Sequence, residues 1–287
     1  MWRRELSWLI CCWVSISIGC RDRQDDAAHE QGLAAVSLAL NWFPEAEHGG
    51  FIAADQIGLF QQEGLDVTIL PGGPGAPVVQ QVATGRVAFA VANADQVLLG
   101  REQGAPVVAV MAAMQQSPRC IMVHRKTGIE SLHQLNDLTL AIGAGKPFAQ
   151  FLLRELDDAK LKIIPYQGNV TAFLQQQNLA QQAYLFSEPY IARQQGADPV
   201  CLMVSDIGFN PYTSLLITSE RMISEQPDIV RKVVHASVRG WLEYLDAPAE
   251  VNRKISSMNP AMTLDVLAFG ADAIRPLCTD SHSPDVP

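Results

Sequence analysis

From Ala34 onward, short apolar runs alternate with amphipathic stretches. AAVSLAL reads as a strand and GFIAADQIGLFQQEG as a helix stopped by Gly64. LDVTIL is a second strand, followed by the turn PGGPG. APVVQQVATG reads as a short helix, VAFAVA as a strand, ADQVLLGREQG as a helix and PVVAVMAAM as a strand. Such βα alternation predicts a parallel-sheet α/β unit. The pattern restarts after Leu135: TLAIGAG, LKIIPY, AYLFS and VCLMVSD as strands, with FAQFLLRELDDA, VTAFLQQQ and PYIARQQG as helices. From Glu225 the chain turns helical, with Ile229, Val233, Val234, Val238 and Leu242 on one face.

Two α/β units followed by helices imply a lobe I of 34–118 plus 207–287 and a lobe II of 119–206. The polar, Pro-containing segments 114–121 and 205–215 are the expected connectors. Two crossings at one place make a hinge, and ligands of open α/β sheets sit at the strand C-termini. The cleft between the lobes is therefore the expected site.

The stretch before Ala34 reads as an address. Arg3 and Arg4 precede an uncharged, mostly apolar run from Ser7 to Gly19, shorter than the ~20 residues of a spanning helix. This predicts a signal peptide over 1–20. Its end, Ser-Ile-Gly-Cys, resembles a bacterial lipobox with Cys20 as the lipidated residue; Ser17 stands where Leu or Val is usual. An uncleaved anchor and an ordinary cleaved signal are the alternatives. Residues 21–33 read as a flexible tether. The protein is thus expected to be exported, to periplasm or cell envelope, and held to the membrane by lipid.

Composition narrows the class. With 48% hydrophobic and 18% charged residues the 287-residue chain is globular in type, neither disordered nor collagen-like. A net charge of −9 argues against nucleic acid as a partner. There is no HExxH, GxSxG or GxxxxGK[ST], no CxxC, and no His pair at metal-ligand spacing. No metal, no cofactor and no nucleophile–base pair is expected, which weighs against a hydrolase.

Two polar–aromatic clusters stand out. Asn41, Trp42, Phe43 and Pro44, with His48, follow the first strand; Ser187, Glu188, Pro189 and Tyr190 follow AYLFS. Tyr212 lies in the second connector. Asn and Trp together offer an amide beside a stacking face, although Trp42 could also be rim packing. Glu188 could accept from a ligand, or complement a helix N-terminus with Pro189 at its first position.

LNWFPEAEHGGFIAADQIGLFQQEGLDV resembles the opening of substrate-binding proteins of the thiamine-pyrimidine and sulfonate/nitrate type. LFSEPYIA, GFNPYTSLLIT and the helix beginning QPDIVRKVV match later blocks, so the likeness runs from about Leu38 to Pro276. It implies a two-lobed periplasmic-binding-protein fold (type II). It also implies a monomer that delivers a small molecule to the permease and ATPase of an ABC importer. The same superfamily holds a thiamine pyrimidine synthase that uses a pyridoxal-phosphate lysine and a donor histidine. Those positions align here with Ala92 and Gln96, which argues against the enzyme. Family members usually carry further C-terminal helices, so a short variant or a truncated frame is expected.

The resemblance and the two clusters together give the ligand reading. Asn41, Trp42, His48, Glu188, Tyr190 and Tyr212 would suit a flat aminopyrimidine or similar heterocycle, with Asp95, Gln96 and Phe148 also facing the cleft. A sulfonate or nitrate site needs concentrated anion donors, and neither cluster supplies an Arg. Cys120 and Cys201 each flank a predicted connector, where a disulfide would restrain the hinge.

Overall fold

The computed structural model describes residues 32–278, among which ten strands form two five-stranded sheets. The first sheet takes β1 (Ala34–Ala39), β2 (Leu65–Leu70), β3 (Phe89–Ala92) and β4 (Val107–Ala112). The second takes β5 (Arg119–His124), β6 (Leu138–Ala141), β7 (Leu161–Ile164), β8 (Leu179–Tyr184) and β9 (Pro199–Met203). The chain then returns to place β10 (Leu215–Ser219) in the first sheet. The orders are β2-β1-β3-β10-β4 and β7-β6-β8-β5-β9. β3, the central strand of the first sheet, is apolar throughout, as burial on both faces demands: all of FAVA is buried.

The sheets are mixed where the sequence pattern pointed to parallel ones. β1, β2 and β3 run parallel, as do β6, β7 and β8, but β10 and β5 are antiparallel to their neighbours. Both exceptions are the strands the chain enters from the other sheet, through 113–118 and 204–214. A strand entered from the opposite sheet starts at the edge where its neighbours end. Consequently the C-terminal ends of β1, β3, β6 and β8 share one edge with the N-terminal ends of β5 and β10. The first connector stops earlier than expected, so Cys120 lies inside β5.

The helices are α1 (Gly49–Gln56), α2 (Leu59–Gln62), α3 (Val78–Ala83) and α4 (Ala94–Glu102) in the first run of strands. Next come α5 (Pro147–Glu155), α6 (Thr171–Gln175) and α7 (Glu188–Gln194) among the strands of the second sheet. The helical tail is α8 (Glu220–Glu225), α9 (Pro227–Asp246), α10 (Ala249–Met258) and α11 (Leu264–Cys278). The single helix expected over 50–64 is two, because Gly58 adopts φ 77° between α1 and α2.

The largest core lies between the first sheet and α1, α9, α10 and α11, around Leu38, Phe51, Phe60, Phe89, Trp241 and Tyr244. α1 and α9 meet through glycines. A Cβ at Gly49 would collide with the Tyr244 ring, one at Gly50 with Trp241, and one at Gly240 with the Gly50 carbonyl. Val82, Ala90, Val107 and Ile217 pack the other face of this sheet, while the second sheet has apolar clusters around Leu140 and Leu152 and around Met122 and Phe173.

Cys120 and Cys201 are free thiols on adjacent strands, two positions apart in register, since Met122 faces Cys201 and Cys120 faces Met203. A bond between them would staple one sheet and leave the connectors unrestrained, contrary to the hinge-restraining role expected for it. Among the described residues no helix is long and apolar enough to cross a membrane. Cys20, the signal segment and the tail beyond residue 278 lie outside the described residues.

Candidate functional site

The shared strand edge opens on a cavity of about 490 Å³. Asn41, Trp42, Glu45 and Glu47 line it after β1, Asn93, Asp95 and Gln96 after β3, and Lys146 and Phe148 after β6. Arg119 from the start of β5, Tyr184 from the end of β8, Tyr166 and Glu188 complete its polar wall. Both sheets therefore contribute.

Beneath Trp42 lies a buried polar network. The His48 ring Nδ1 accepts from the Glu45 N–H at 3.3 Å, and its Nε2 meets Asn41 Oδ1 at 2.9 Å. That pairing assigns the proton to Nε2. Burial lowers the His48 pKa to about 3, so the ring is neutral and its 3.4 Å approach to Glu47 is no ion pair. Glu47 accepts from the Ser214 hydroxyl at 2.8 Å, and Ser214 holds φ 52° just before β10. Burial raises the Glu47 pKa to about 7, against the opposing pull of Ser214 and Arg119. Burial also raises Glu45, aided by the charges of Glu47 and Glu188.

The second sheet supplies the other wall. Glu188 accepts from the Tyr166 hydroxyl at 2.5 Å and from the Tyr184 N–H at 2.9 Å. It stands at the first position of α7, so its two readings coincide: a helix-terminal acid that also lines the cavity. Burial raises its pKa while those two bonds pull it down. Arg119 reaches across to Asp95, Nη1 to Oδ2 at 2.9 Å, with both side chains under a tenth exposed. Asn93 donates to the Tyr184 hydroxyl at 3.3 Å, a second bond between the sheets. Trp42 faces Gly168, where a Cβ would lie 3.7 Å from the indole and φ is 73°.

Of the residues singled out in the sequence, Asn41, Trp42, Asp95, Gln96, Phe148 and Glu188 meet at this cavity. His48 is fully buried behind the wall, where it orients Asn41. Tyr190 points along α7 away from the cavity and stacks on Phe269 of α11 at 4.7 Å between ring centroids. Tyr212 is 47% exposed on the surface, and its carbonyl accepts from the Ala94 N–H. Ala92 is buried inside β3.

Sequence reasoning missed Arg119, Tyr166, Glu45 and Glu47. Arg119 sat in a segment read as connector, and the expectation that the site lacks an arginine is corrected by it. Glu45 and Glu47 stood in plain view inside the WFPEAEH block. A carboxylate pair beside a Pro gave no sign of burial.

The wall thus carries four acidic side chains, Glu45, Glu47, Asp95 and Glu188, beside Arg119 and Lys146, and burial raises the pKa of Glu45, Glu47 and Glu188. It can accept several hydrogen bonds and stack a flat ring on Trp42 or Phe148. Residues 45–251 match the family described as NMT1/THI5 like. The chain belongs to that family.

It is similar to the riboflavin-binding protein RibY of Chloroflexus aurantiacus, 28% identical over 228 residues, covering 76% of this chain and 64% of that protein. The match thus spans less than two thirds of that relative's length. It is also similar to the formylaminopyrimidine-binding protein of Halalkalibacterium halodurans, 24% identical over 233 residues, 78% of this chain and 70% of that one. Among solved structures it resembles the periplasmic aliphatic sulphonate binding protein SsuA of Escherichia coli, with a TM-score of 0.67 at 14% identity over 84% of this chain and 79% of that one. At that identity the likeness shows the fold: a two-lobed periplasmic-binding-protein architecture.

Proposed function

We propose that this protein is an extracytoplasmic solute-binding protein that delivers a small heterocycle, a thiamine-related pyrimidine in first place, to an ABC importer. The observation that carries this reading is the Trp42 indole beside an acid-rich wall in which, among the described residues, Glu188 is held by two donors and the one arginine, Arg119, is already paired with Asp95. Amine donors of a flat ring would find acceptors there, with Glu188 fixed by Tyr166 and Tyr184. A sulfonate or nitrate needs surplus donors, and Arg119 is already engaged by Asp95. The ligands for which the two relatives are named, riboflavin and formylaminopyrimidine, are both flat nitrogen heterocycles. Tyr166 and Tyr184, rather than Tyr190 and Tyr212, complete the aromatic part of the proposed ligand set.

A synthase is the second reading, favoured only by the shared superfamily. Ala92 and Gln96 offer no amine for an aldehyde cofactor and no imidazole. Export and lipid anchoring through Cys20 belong to the same proposal. Cys20→Ala is expected to move the protein from the membrane fraction to the soluble one, and unchanged fractionation points to an uncleaved anchor. Native mass spectrometry of the purified protein tests the function directly. A co-purified heterocycle is expected; a bound sulfonate, or an absorbance band of pyridoxal phosphate, would contradict it.

A further inference from the structure

β5 and β9 each carry a Cys-x-Met triplet, Cys120-Ile121-Met122 and Cys201-Leu202-Met203. The strands pair antiparallel, with Cys120 opposite Met203 and Met122 opposite Cys201. Directly opposed residues project to the same face of a sheet, as do residues two apart along a strand. Two thiols and two thioethers therefore form a square on one face. All four belong to a single apolar cluster, with Ile191 and Ala192 of α7. The Cys120 thiol donates a hydrogen bond to the sulfur of Cys201.

Core packing alone does not account for this placement. The opposite face of the same two strands carries Ile121, Val123, Val200 and Leu202, hydrocarbon throughout. Sulfur is confined to the face where the four positions adjoin. A disulfide fits the square poorly. Diagonal neighbours in an antiparallel pair lie roughly 7–8 Å apart, beyond the Cα separation of about 7 Å that a disulfide bridges without backbone movement. A metal reaches further, because two metal–sulfur bonds of about 2.3 Å replace one S–S bond of about 2.0 Å. The donor set chooses the metal. Zinc sites draw on thiolate, imidazole and carboxylate, whereas soft thiolate and thioether sulfur selects Cu(I). Cys120 and Met122 are buried, which keeps water away, while Cys201 and Met203 are partly exposed and offer a way in. Motif spacing along the chain could not reveal such a group, because its members meet across strands.

We propose that Cys120, Met122, Cys201 and Met203 form a binding site for monovalent copper, separate from the cavity and independent of the solute-binding reading. Cu(I) bonds to both thiolate sulfurs as their two protons leave, and the thioethers cap it. No oxidant is needed, since the metal enters already reduced and stays so.

The test uses the full chain with Cys11, Cys12, Cys20 and Cys278 replaced by Ser, so that the pair supplies its only thiols. Cu(I) is titrated anaerobically against the chromophoric chelator bicinchoninate. One equivalent is expected to bind, with an all-sulfur shell by X-ray absorption. Cys201→Ser and Cys120→Ala are each expected to weaken binding by more than the roughly 10–100-fold that loss of an outer-shell partner costs. The near-isosteric pair Met122→Leu/Met203→Leu is expected to lose roughly tenfold, on that outer-shell scale. Circular dichroism verifies the fold of each variant, and Cys201→Ser, at the partly exposed position, carries the test if Cys120→Ala does not fold. No Cu(I) bound by the four-Ser protein, or an affinity unchanged by Cys201→Ser, overturns the site. Tighter binding of Zn(II) than of Cu(I) overturns the choice of metal, and unchanged affinity in the Leu pair overturns the four-sulfur donor set.

Discussion

Glu188 holds its place through two donors from its own lobe, the Tyr166 hydroxyl and the Tyr184 N–H. Exchanging it for Gln keeps the shape and removes the charge. Since a hydrogen bond to a charged group contributes roughly 1.5–3 kcal/mol, Glu188→Gln is expected to weaken heterocycle binding about ten- to a hundredfold by calorimetry. An unchanged dissociation constant would reduce Glu188 to its helix-terminal role. Glu47 yields a second prediction, through pH. Its folded pKa, about 7, is above the ordinary carboxylate value of 4.5. The folded state therefore holds more protons than the unfolded one between those values, and this group's contribution to stability falls as pH rises through that window. His48 acts oppositely, since a ring with a pKa of about 3 opposes folding once the unfolded chain protonates below 6.5. Comparing variant with wild type isolates Glu47: the melting temperature of Glu47→Gln is expected to gain on the wild type as pH goes from 4.5 to 7. A constant difference would mean that Glu47 is ionised throughout. Asn41, Trp42 and Glu188 were legible in the sequence because each follows an apolar strand. Glu45, Glu47 and Arg119 were not, because nothing local marks a charge as buried when its partners, Ser214 and Asp95, lie far along the chain.

At the level of elements, the hydrophobic pattern located the strands well and their directions poorly. Apolar runs such as FAVA report burial on both faces but carry no information on polarity within the sheet. Direction follows from the route of the chain, and only the crossings at 113–118 and 204–214 turn β5 and β10 around. Tyr190 shows the same limit. Its position just after the strand AYLFS suggested the cleft, yet as the third residue of α7 it turns to Phe269 instead. The α1–α9 contact was likewise invisible, because it depends on glycines that leave no apolar signal. Gly240→Ala would press a methyl group onto the Gly50 carbonyl and Ala54. Overpacking of this kind costs about 1–3 kcal/mol. A clear fall in melting temperature with ligand affinity preserved is expected, and an unchanged one would show that the two helices can move apart freely.

For the whole molecule, two sheets joined by two crossings place every wall of the cavity at a strand end. Residues as far apart in sequence as Asn41, Arg119 and Glu188 therefore meet. The ion pair of Arg119 with Asp95 and the bond of Asn93 to Tyr184 tie the sheets together across it. A ligand seated there touches both lobes, so it must stabilise the folded chain by mass action, by about 2.7 kcal/mol at a hundred times its dissociation constant. The central claim is that the cavity accepts amines of a flat heterocycle and rejects anions. Thermal unfolding of the wild type against a panel of aminopyrimidines, riboflavin, taurine, alkanesulfonates and nitrate tests it most directly. A rise in melting temperature with a pyrimidine or riboflavin and none with the anions is the predicted result. A rise with a sulfonate or nitrate, and none with any heterocycle, would contradict it.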